Sequence, residues 1–487
     1  MSIRKTLFGA AAISSASAFR LAMQLVSIPI LARLLLPSDY GVVSMAMPFV
    51  IFALNIADAG MGISLIRSPR QDPVEWSSSF WMTVAAGLGL TLLLAALSPL
   101  ASLALSEPEV TPVLAALSLV IFLQSLSTIP GARMQRDQRY GTIARIEVLS
   151  IACGLGMAVL VAWLGGGAWA LVAQQLSFYS IRVFLTLVLA GFRPRWVWQF
   201  AQVKGHVEFG MSILSANLLK MVTSACENWI IGRGLGASAV GTFSMATQLT
   251  RLPMMLITGP LNAPLYTYLT QLSDPQHIRR TFLMLSRSIA FVLFPAMGVS
   301  AVASGPLIHT LLSPKWTEAA HIYAYMAPAV AVQTIVTLTN PVLLAMGLPK
   351  VQLRCAIEYM ALWVAALALS VRFGLTTASM VYAAVLVLYS IRQALMALRI
   401  FEIDPRTYAF YLAPPTMLAA VAMGLYWGLD YYIDLSDLQF SAVAILMGGC
   451  AVGLGVAMDW KNVRQAIHRE KERGEASLMP ENIDTGT

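Results

Sequence analysis

The sequence predicts an all-α polytopic membrane protein. About fourteen transmembrane helices form two pseudo-twofold-related six-helix lobes around a central cavity, with two further helices toward the C-terminal end. Three observations predict this. Of 487 residues, 58% are hydrophobic and 11% charged, with a mean hydropathy of +0.71, whereas soluble domains carry about 25% charged residues. Apolar runs of about 20 residues recur from end to end, each long enough to cross a hydrocarbon core of about 30 Å. Finally, residues 11–47 return 200 positions later as residues 211–247. Ile13, Ser15, Ala16, Arg33, Leu35, Ser38 and Gly41 match Ile213, Ser215, Ala216, Arg233, Leu235, Ser238 and Gly241, and Ser44-Met45-Ala46 recurs as Ser244-Met245-Ala246.

The elements follow from apolar runs separated by turn residues. The expected helices span 10–33, 42–65, 77–98, 113–131, 143–164, 168–190, 208–231, 240–270, 281–304, 318–346, 351–372, 376–399, 408–428 and 438–458. Turn signals at Leu36-Pro37-Ser38-Asp39, Ser106-Glu107-Pro108, Gly165-Gly166-Gly167, Ser273-Asp274-Pro275 and Gly347-Leu348-Pro349 divide them. The repeat starts at the first and seventh of these helices. Both copies therefore cross in the same direction, which makes the repeat parallel, with its axis along the membrane normal. This gives lobes of residues 1–200 and 201–402, two extra helices over 403–460, and a polar cytoplasmic tail over 461–487 whose last residues, 474–487, are expected to be disordered. The segment 307–323, with Lys315, Trp316 and His321, is expected to be a short interfacial piece.

The positive charges agree with this count. With the N-terminus in the cytoplasm, the inner loops hold Arg4, Lys5, Arg67, Arg70, Arg133, Arg136, Arg139, Arg193, Arg195, Lys204, Arg279, Arg280, Lys350, Arg354, Arg399 and Arg406. The outer loops hold only Arg33, Arg233, Lys315 and Arg372. One missed helix would scramble this asymmetry, which by the positive-inside rule places both termini in the cytoplasm. It also accounts for the net charge of +8 without invoking nucleic acid. Cys153, Cys226, Cys355 and Cys450 fall in apolar runs as small core residues with no metal-ligand spacing. Arg4 and Lys5 precede an apolar run that continues past Pro29, so a cleaved signal peptide is not expected.

Three cations lie where a membrane should not tolerate them. Arg20 lies about 15 Å into its helix at 1.5 Å per residue, Lys220 matches it in the second copy, and Arg251 is similarly deep from the other side. A lone Arg or Lys at the bilayer centre costs at least about 2.5–3.5 kcal/mol, so such groups face protein or water. Two readings are open. The cations form a positive chamber between the lobes, or Asp58, Glu147, Glu227 and Glu358 neutralise them in ion pairs. A chamber would select an anion, because guanidinium grips phosphate oxygens in pairs while ammonium acts as a point charge. Gln24, Asn55, Gln174, Gln175, Asn217, Asn228 and Gln248 could hydrogen-bond sugar hydroxyls, although helix–helix bonding is the commoner use of such amides. Prolines 29, 48, 253, 260, 264, 295, 328 and 341 fall inside expected helices and permit kinks.

The run Ile30 to Gly41, with Arg33, Pro37, Asp39 and Tyr40, resembles the first outer loop of polysaccharide transporters. So does Asp58-Ala59-Gly60-Met61-Gly62 followed by Arg67. Asn217 through Glu227-Asn228-Trp229-Ile230-Ile231-Gly232-Arg233, then Leu235-Gly236 and Val240-Gly241, resembles the corresponding seventh-helix signature. Over nearly its whole length the chain resembles the Wzx-like oligosaccharide flippases of the multidrug/oligosaccharidyl-lipid/polysaccharide exporter superfamily. The resemblance implies a bacterial inner-membrane protein, not an enzyme, that flips undecaprenyl-diphosphate-linked sugars by alternating access, without a cofactor. Substrate would be held in a cationic cavity matched by Arg20, Lys220 and Arg251, with proton or sodium coupling through Asp58 or Glu227. A polysaccharide polymerase and co-polymerase are the implied partners. Three alternatives stand beside it, one of them a non-transporting scaffold, which would not need paired midplane cations. A drug or cation antiporter of the same superfamily would place acidic residues in the chamber. A membrane-bound polymerase or ligase would need a sizeable external segment or a clustered catalytic set, whereas His206, His277, His309, His321 and His468 are scattered.

Overall fold

The computed structural model describes the backbone of residues 3–58, 60–67, 72–271, 275–433 and 435–476. Side chains are described for these residues except 3–17, 67, 200–218, 220, 259–260, 262–264, 266, 270–271, 275, 345, 349, 461–463 and 465–476. In chain order the helices are α1 (Ile3–Leu34), α2 (Pro37–Asp58), α3 (Met61–Arg67), α4 (Pro73–Leu105), α5 (Val110–Arg136), α6 (Tyr140–Trp163), α7 (Ala168–Ala190) and α8 (Phe200–Gln271). They continue as α9 (Pro275–Val302), α10 (Ser304–Leu311), α11 (Thr317–Thr337), α12 (Thr339–Ala345), α13 (Pro349–Ser370), α14 (Leu375–Ile400), α15 (Pro405–Tyr432) and α16 (Asp437–Ala476).

Among the described residues, 11 helical stretches are long and apolar enough to cross a membrane. With α1 and the two arms of α8 they make 14 long helices. The arms of α8 meet at Gly236, whose φ of 83° and ψ of 177° interrupt the helix. A side chain rarely adopts that φ, so glycine is required there. Gly236 is the repeat counterpart of Leu36, in the turn between α1 and α2. The expected helices fit this pattern, with differences at their ends. The helix expected over 42–65 is divided into α2 and α3 by the turn at Gly60, where φ is 63°. The helix expected over 318–346 is divided into α11 and α12, and Pro341 falls in the first turn of α12, where its missing N–H is harmless. Beyond Trp460 the chain stays helical to Ala476 rather than turning irregular at Gly474, because Lys, Arg, Glu and Ala dominate that stretch.

The chain forms two compact units. The first comprises residues 1–245, 311–319 and 360–378. In it α4 packs on α5, α6 on α7, α5 on α7, α1 on α6 and α2 on α5. Small residues bring α4 and α5 together: Thr91 Oγ1 donates to the Ser118 carbonyl at 3.0 Å, and a methyl built on Gly87 would lie 2.5 Å from Ser125 Cβ. This is how membrane helices associate when lipid removes any hydrophobic gain. An apolar cluster of Met61, Leu65, Trp76, Phe80, Ile129 and Ala132 holds α3, α4 and α5, with the Arg133 and Arg136 guanidiniums over the Trp76 ring. From segment 307–323 the first unit takes the 3-10 turn Pro314–Trp316. Trp316 is fully buried, donates to the Ala32 carbonyl at 2.8 Å and meets Tyr40 edge-on.

The second unit comprises residues 246–310, 320–359 and 379–487. Here α15 and α16 both pack on α9, around Val299, Ala303, Ala422, Tyr426, Phe440 and Ala444. Asp459 is 3% exposed; its carboxylate accepts from Ser288 and pairs with Arg287 at 3.3 Å. Removing one partner of a buried pair strands the other charge at a cost of about 3–5 kcal/mol. Arg287→Ala should therefore lower the melting temperature of the purified protein sharply, and adding Asp459→Asn should restore part of it. An unchanged melting temperature in the single variant would contradict this account.

Outward-facing Leu92, Leu100, Leu103, Phe184, Val188, Met417, Val421, Leu425 and Ile445 are exposed along the spans. Exposed Trp163, Trp196, Trp427, Tyr431 and Tyr432 sit near span ends. Apolar shafts with aromatic ends are the pattern of helices in lipid, and the chain is a multi-pass membrane protein.

Candidate functional site

The first copy of the repeat carries Arg20 on α1, which packs on α6. Its guanidinium forms an ion pair with Glu147 of α6. The Glu147 side chain is 10% exposed, whereas that of Arg20 is 60% exposed. The carboxylate is thus held in the packed α1–α6 seam while most of the Arg20 side chain stays open. Neutralisation by Glu147, one of the two readings the sequence left open, accounts for where Arg20 is anchored but leaves its outer face available.

The other candidate residues are placed separately. Arg251 lies in the second unit, exposed, 15 residues beyond Gly236 on the second arm of α8. The Lys220 side chain lies outside the described residues. Asp58, at the end of α2, accepts a hydrogen bond from the backbone N–H of Gly60, as a carboxylate closing a turn does. Glu227 is half-buried on the first arm of α8 in the first unit. Among the amides, Asn228 donates across helices to the Ser44 carbonyl at 2.6 Å, and Asn55 donates to Ile51 within its own helix at 2.7 Å.

Around the Arg33 and Arg233 ends of the repeat, the first unit is tightly built. Arg33 donates to the Leu311 carbonyl at 3.3 Å, and Arg233 to the Ala104 carbonyl at 3.3 Å, beside Trp229, which shares that carbonyl at 3.1 Å. Glu107 accepts the backbone N–H of Ala237 at 2.9 Å. Asp39 accepts that of Leu36 at 2.7 Å. These charges of the repeated loops hold main chain. At the centre, Gly41 and Gly241 meet. A methyl on Gly41 would lie 1.7 Å from the Ala237 carbonyl oxygen, and one on Gly241 would lie 1.8 Å from the Pro37 carbonyl oxygen. Ala237 is the repeat counterpart of Pro37, so the contact is reciprocal and has a local twofold.

Sequence reasoning missed a second group of residues. Tyr179-Ser180-Ile181-Arg182 on α7 recurs 210 positions later as Tyr389-Ser390-Ile391-Arg392 on α14, and Ile146-Glu147 on α6 recurs as Ile357-Glu358 on α13. A search at the 200-residue offset of the first match passes over them, because loop lengths have drifted between the copies. In the second unit Glu358 joins Arg354 at 2.9 Å and Arg392 at 2.5 Å.

Comparison with known proteins agrees with this architecture. The fold is that of the multidrug/oligosaccharidyl-lipid/polysaccharide exporters. A lipid II flippase, MurJ, in an inward closed conformation superposes with a TM-score of 0.73 at 11% identity, covering 92% of this chain and 99% of that one. An inward-facing multidrug-resistance MATE family transporter superposes at 0.62 and 15% identity, covering 78% and 94%. The family model described as "Polysaccharide biosynthesis protein" matches residues 30–321, and the chain belongs to that family. The succinoglycan biosynthesis transport protein ExoT of Rhizobium meliloti is 27% identical over 67% of this chain and 66% of its own length. The lipopolysaccharide biosynthesis protein WzxC of Escherichia coli is 22% identical over 65% of each chain. The alignments thus span just under two thirds of those two relatives. The teichuronic acid biosynthesis protein TuaB of Bacillus subtilis is 22% identical over 89% of this chain and 90% of its own. The chain is thus a multi-pass membrane protein of the polysaccharide biosynthesis protein family.

Proposed function

We propose that this protein flips undecaprenyl-diphosphate-linked oligosaccharide units from the cytoplasmic to the periplasmic face of a bacterial inner membrane, for assembly of a surface polysaccharide. The observation that carries this is Arg20: a guanidinium deep within a membrane helix, anchored on one side by Glu147 and open on the other. An open cation at that depth is costly unless an anion uses it. The relatives are named for succinoglycan, lipopolysaccharide and teichuronic acid biosynthesis, and the resemblance to Wzx-like flippases implies a sugar unit carried on undecaprenyl diphosphate. Arg20, Lys220 and Arg251 bind the diphosphate head, and lobes 1–200 and 201–402 alternate access to it. Coupling to a proton or sodium gradient runs through Asp58 or Glu227. Both termini lie in the cytoplasm, as the loop charges indicate. A polymerase with its co-polymerase receives the unit outside.

Deleting the gene in its host should abolish the surface polymer and accumulate lipid-linked oligosaccharide that a periplasmically added lectin cannot reach in spheroplasts. Plasmid-borne protein should reverse both. Accumulated units fully accessible to the lectin would reject the flipping step, and efflux of cationic dyes by proteoliposomes with no lipid translocation would favour an antiporter instead.

A further inference from the structure

The two Tyr-Ser-Ile-Arg segments have no place in the scheme above, yet each stands in a comparable charged cluster. In the first unit the charges of Arg182, Glu147 and Arg20 all act on Tyr179, and the Arg182 guanidinium lies 5.9 Å from the centre of the Phe178 ring. In the second unit Glu358 binds both Arg354 and Arg392, and the Arg392 guanidinium lies 5.6 Å from the centre of the Tyr389 ring. Glu358 pairs with both of its guanidiniums, whereas Glu147 pairs with Arg20 and Arg182 stands within electrostatic reach at Tyr179; each group thus holds two guanidiniums and one carboxylate, one positive charge in surplus.

The depths agree as well. Arg182 lies eight residues inside the Ala190 end of α7, and Arg392 eight residues inside the Ile400 end of α14, about 12 Å in each case. Glu147 and Glu358 lie about 10–14 Å inside the starts of α6 and α13. A guanidinium beyond the one a carboxylate needs adds to the cost of insertion unless an anion uses it, least for Arg354, which lies only about 8 Å inside the start of α13. Here the surplus recurs in both copies. It is also reachable: the Arg20, Arg354 and Arg392 side chains are 60%, 78% and 49% exposed.

We propose that Glu147 with Arg20 and Arg182, and Glu358 with Arg354 and Arg392, are two copies of one exchangeable anion site, in which the carboxylate occupies the guanidiniums until a phosphate group of the substrate replaces it. The exchange needs no new geometry. A guanidinium fork accepts two oxygens of a carboxylate or of a phosphate alike, and a phosphate ester brings more charge to a site with a cation to spare. The aromatic ring beneath each second arginine keeps it in place when its partner changes. The inference rests on the proposed lipid-diphosphate substrate and assigns it further binding residues.

The test is equilibrium binding to the purified full-length protein in detergent, with farnesyl diphosphate and inorganic pyrophosphate as probes. Glu147→Gln and Glu358→Gln remove the competing charge but keep the shape, and each should tighten binding about fivefold or more. Arg182→Ala and Arg392→Ala should each weaken it about tenfold, with partial rescue by lysine. Monodisperse elution of each variant guards against misfolding. Glutamine variants that bind as the wild type does, or more weakly, would make the carboxylates simple structural clamps and overturn the exchange site. Preference for farnesyl diphosphate assigns the site to a lipid-borne phosphate, and equal binding of pyrophosphate assigns it to the anion alone; both support the exchange. If the wild type binds neither probe, the diphosphate substrate itself is rejected, and that failure is distinct from altered variants in a binding-competent protein.

Discussion

Cells carrying Arg20→Ala together with Lys220→Ala display no surface polymer, while the protein stays in the membrane at its normal abundance. The expected loss exceeds tenfold for either single change and is complete for both. The physical basis is the position of Arg20: 14 residues, about 21 Å, from the Leu34 end of α1, with its carboxylate partner in the seam and its outer face open. Alanine there strands the buried Glu147 carboxylate, so Glu147→Gln is added in companion variants to hold the abundance, and a bound diphosphate still loses its charge-assisted hydrogen bonds. Arg20→Lys keeps the charge but not the fork and should fall between. Whole-cell polymer staining alongside an immunoblot of the membrane fraction decides the matter, and full display in the double variant would reject the chamber.

Gly41→Val should disable the protein by a different route. Its first side-chain carbon would sit 1.7 Å from the Ala237 carbonyl oxygen, and that of Gly241→Val 1.8 Å from the Pro37 carbonyl oxygen. Both obstacles are main chain and cannot rotate aside, so α2 and α8 must separate. Overpacking a well-packed site costs about 1–3 kcal/mol, and here the close approach itself is lost. Each variant should lower the melting temperature of the purified protein by several degrees and abolish polymer display, and even Gly41→Ala should show a reduced effect in the same direction. If both valine variants melted and exported as the wild type does, the packing at this point would be irrelevant to either property.

The sequence carried most of the fold because lipid imposes one rule on every span: about twenty apolar residues, hydrogen-bonded within themselves. The turn at Pro37 is read directly and the break at Gly236 falls between two expected helices, whereas Gly60 and Pro341 lie inside expected helices. What could not be read were pieces too short for periodicity to register, such as α3, α10 and α12, and the burial of Trp316, which depends on the Ala32 carbonyl nearly three hundred residues away. The site divided similarly. Arg20 stands out by its depth alone, but nothing local says that Glu147 will be its partner, because the two meet only when α1 packs on α6. Tyr179 to Arg182 and Tyr389 to Arg392 were visible as an identical tetrapeptide, hidden only by a ten-residue change of offset. The terminal polar stretch misled because helix propensity there acts without any apolar face to signal it.

The reciprocal meeting of Gly41 with Ala237 and Gly241 with Pro37 also bears on ancestry. Each patch touches the equivalent of itself, which is the mark of an isologous interface between identical subunits. A half-length forerunner could have made the same contact with a second copy as a homodimer. Gene fusion would then have kept the interface and freed the two sides to diverge, and glycine would persist at both positions because neither side can yield alone.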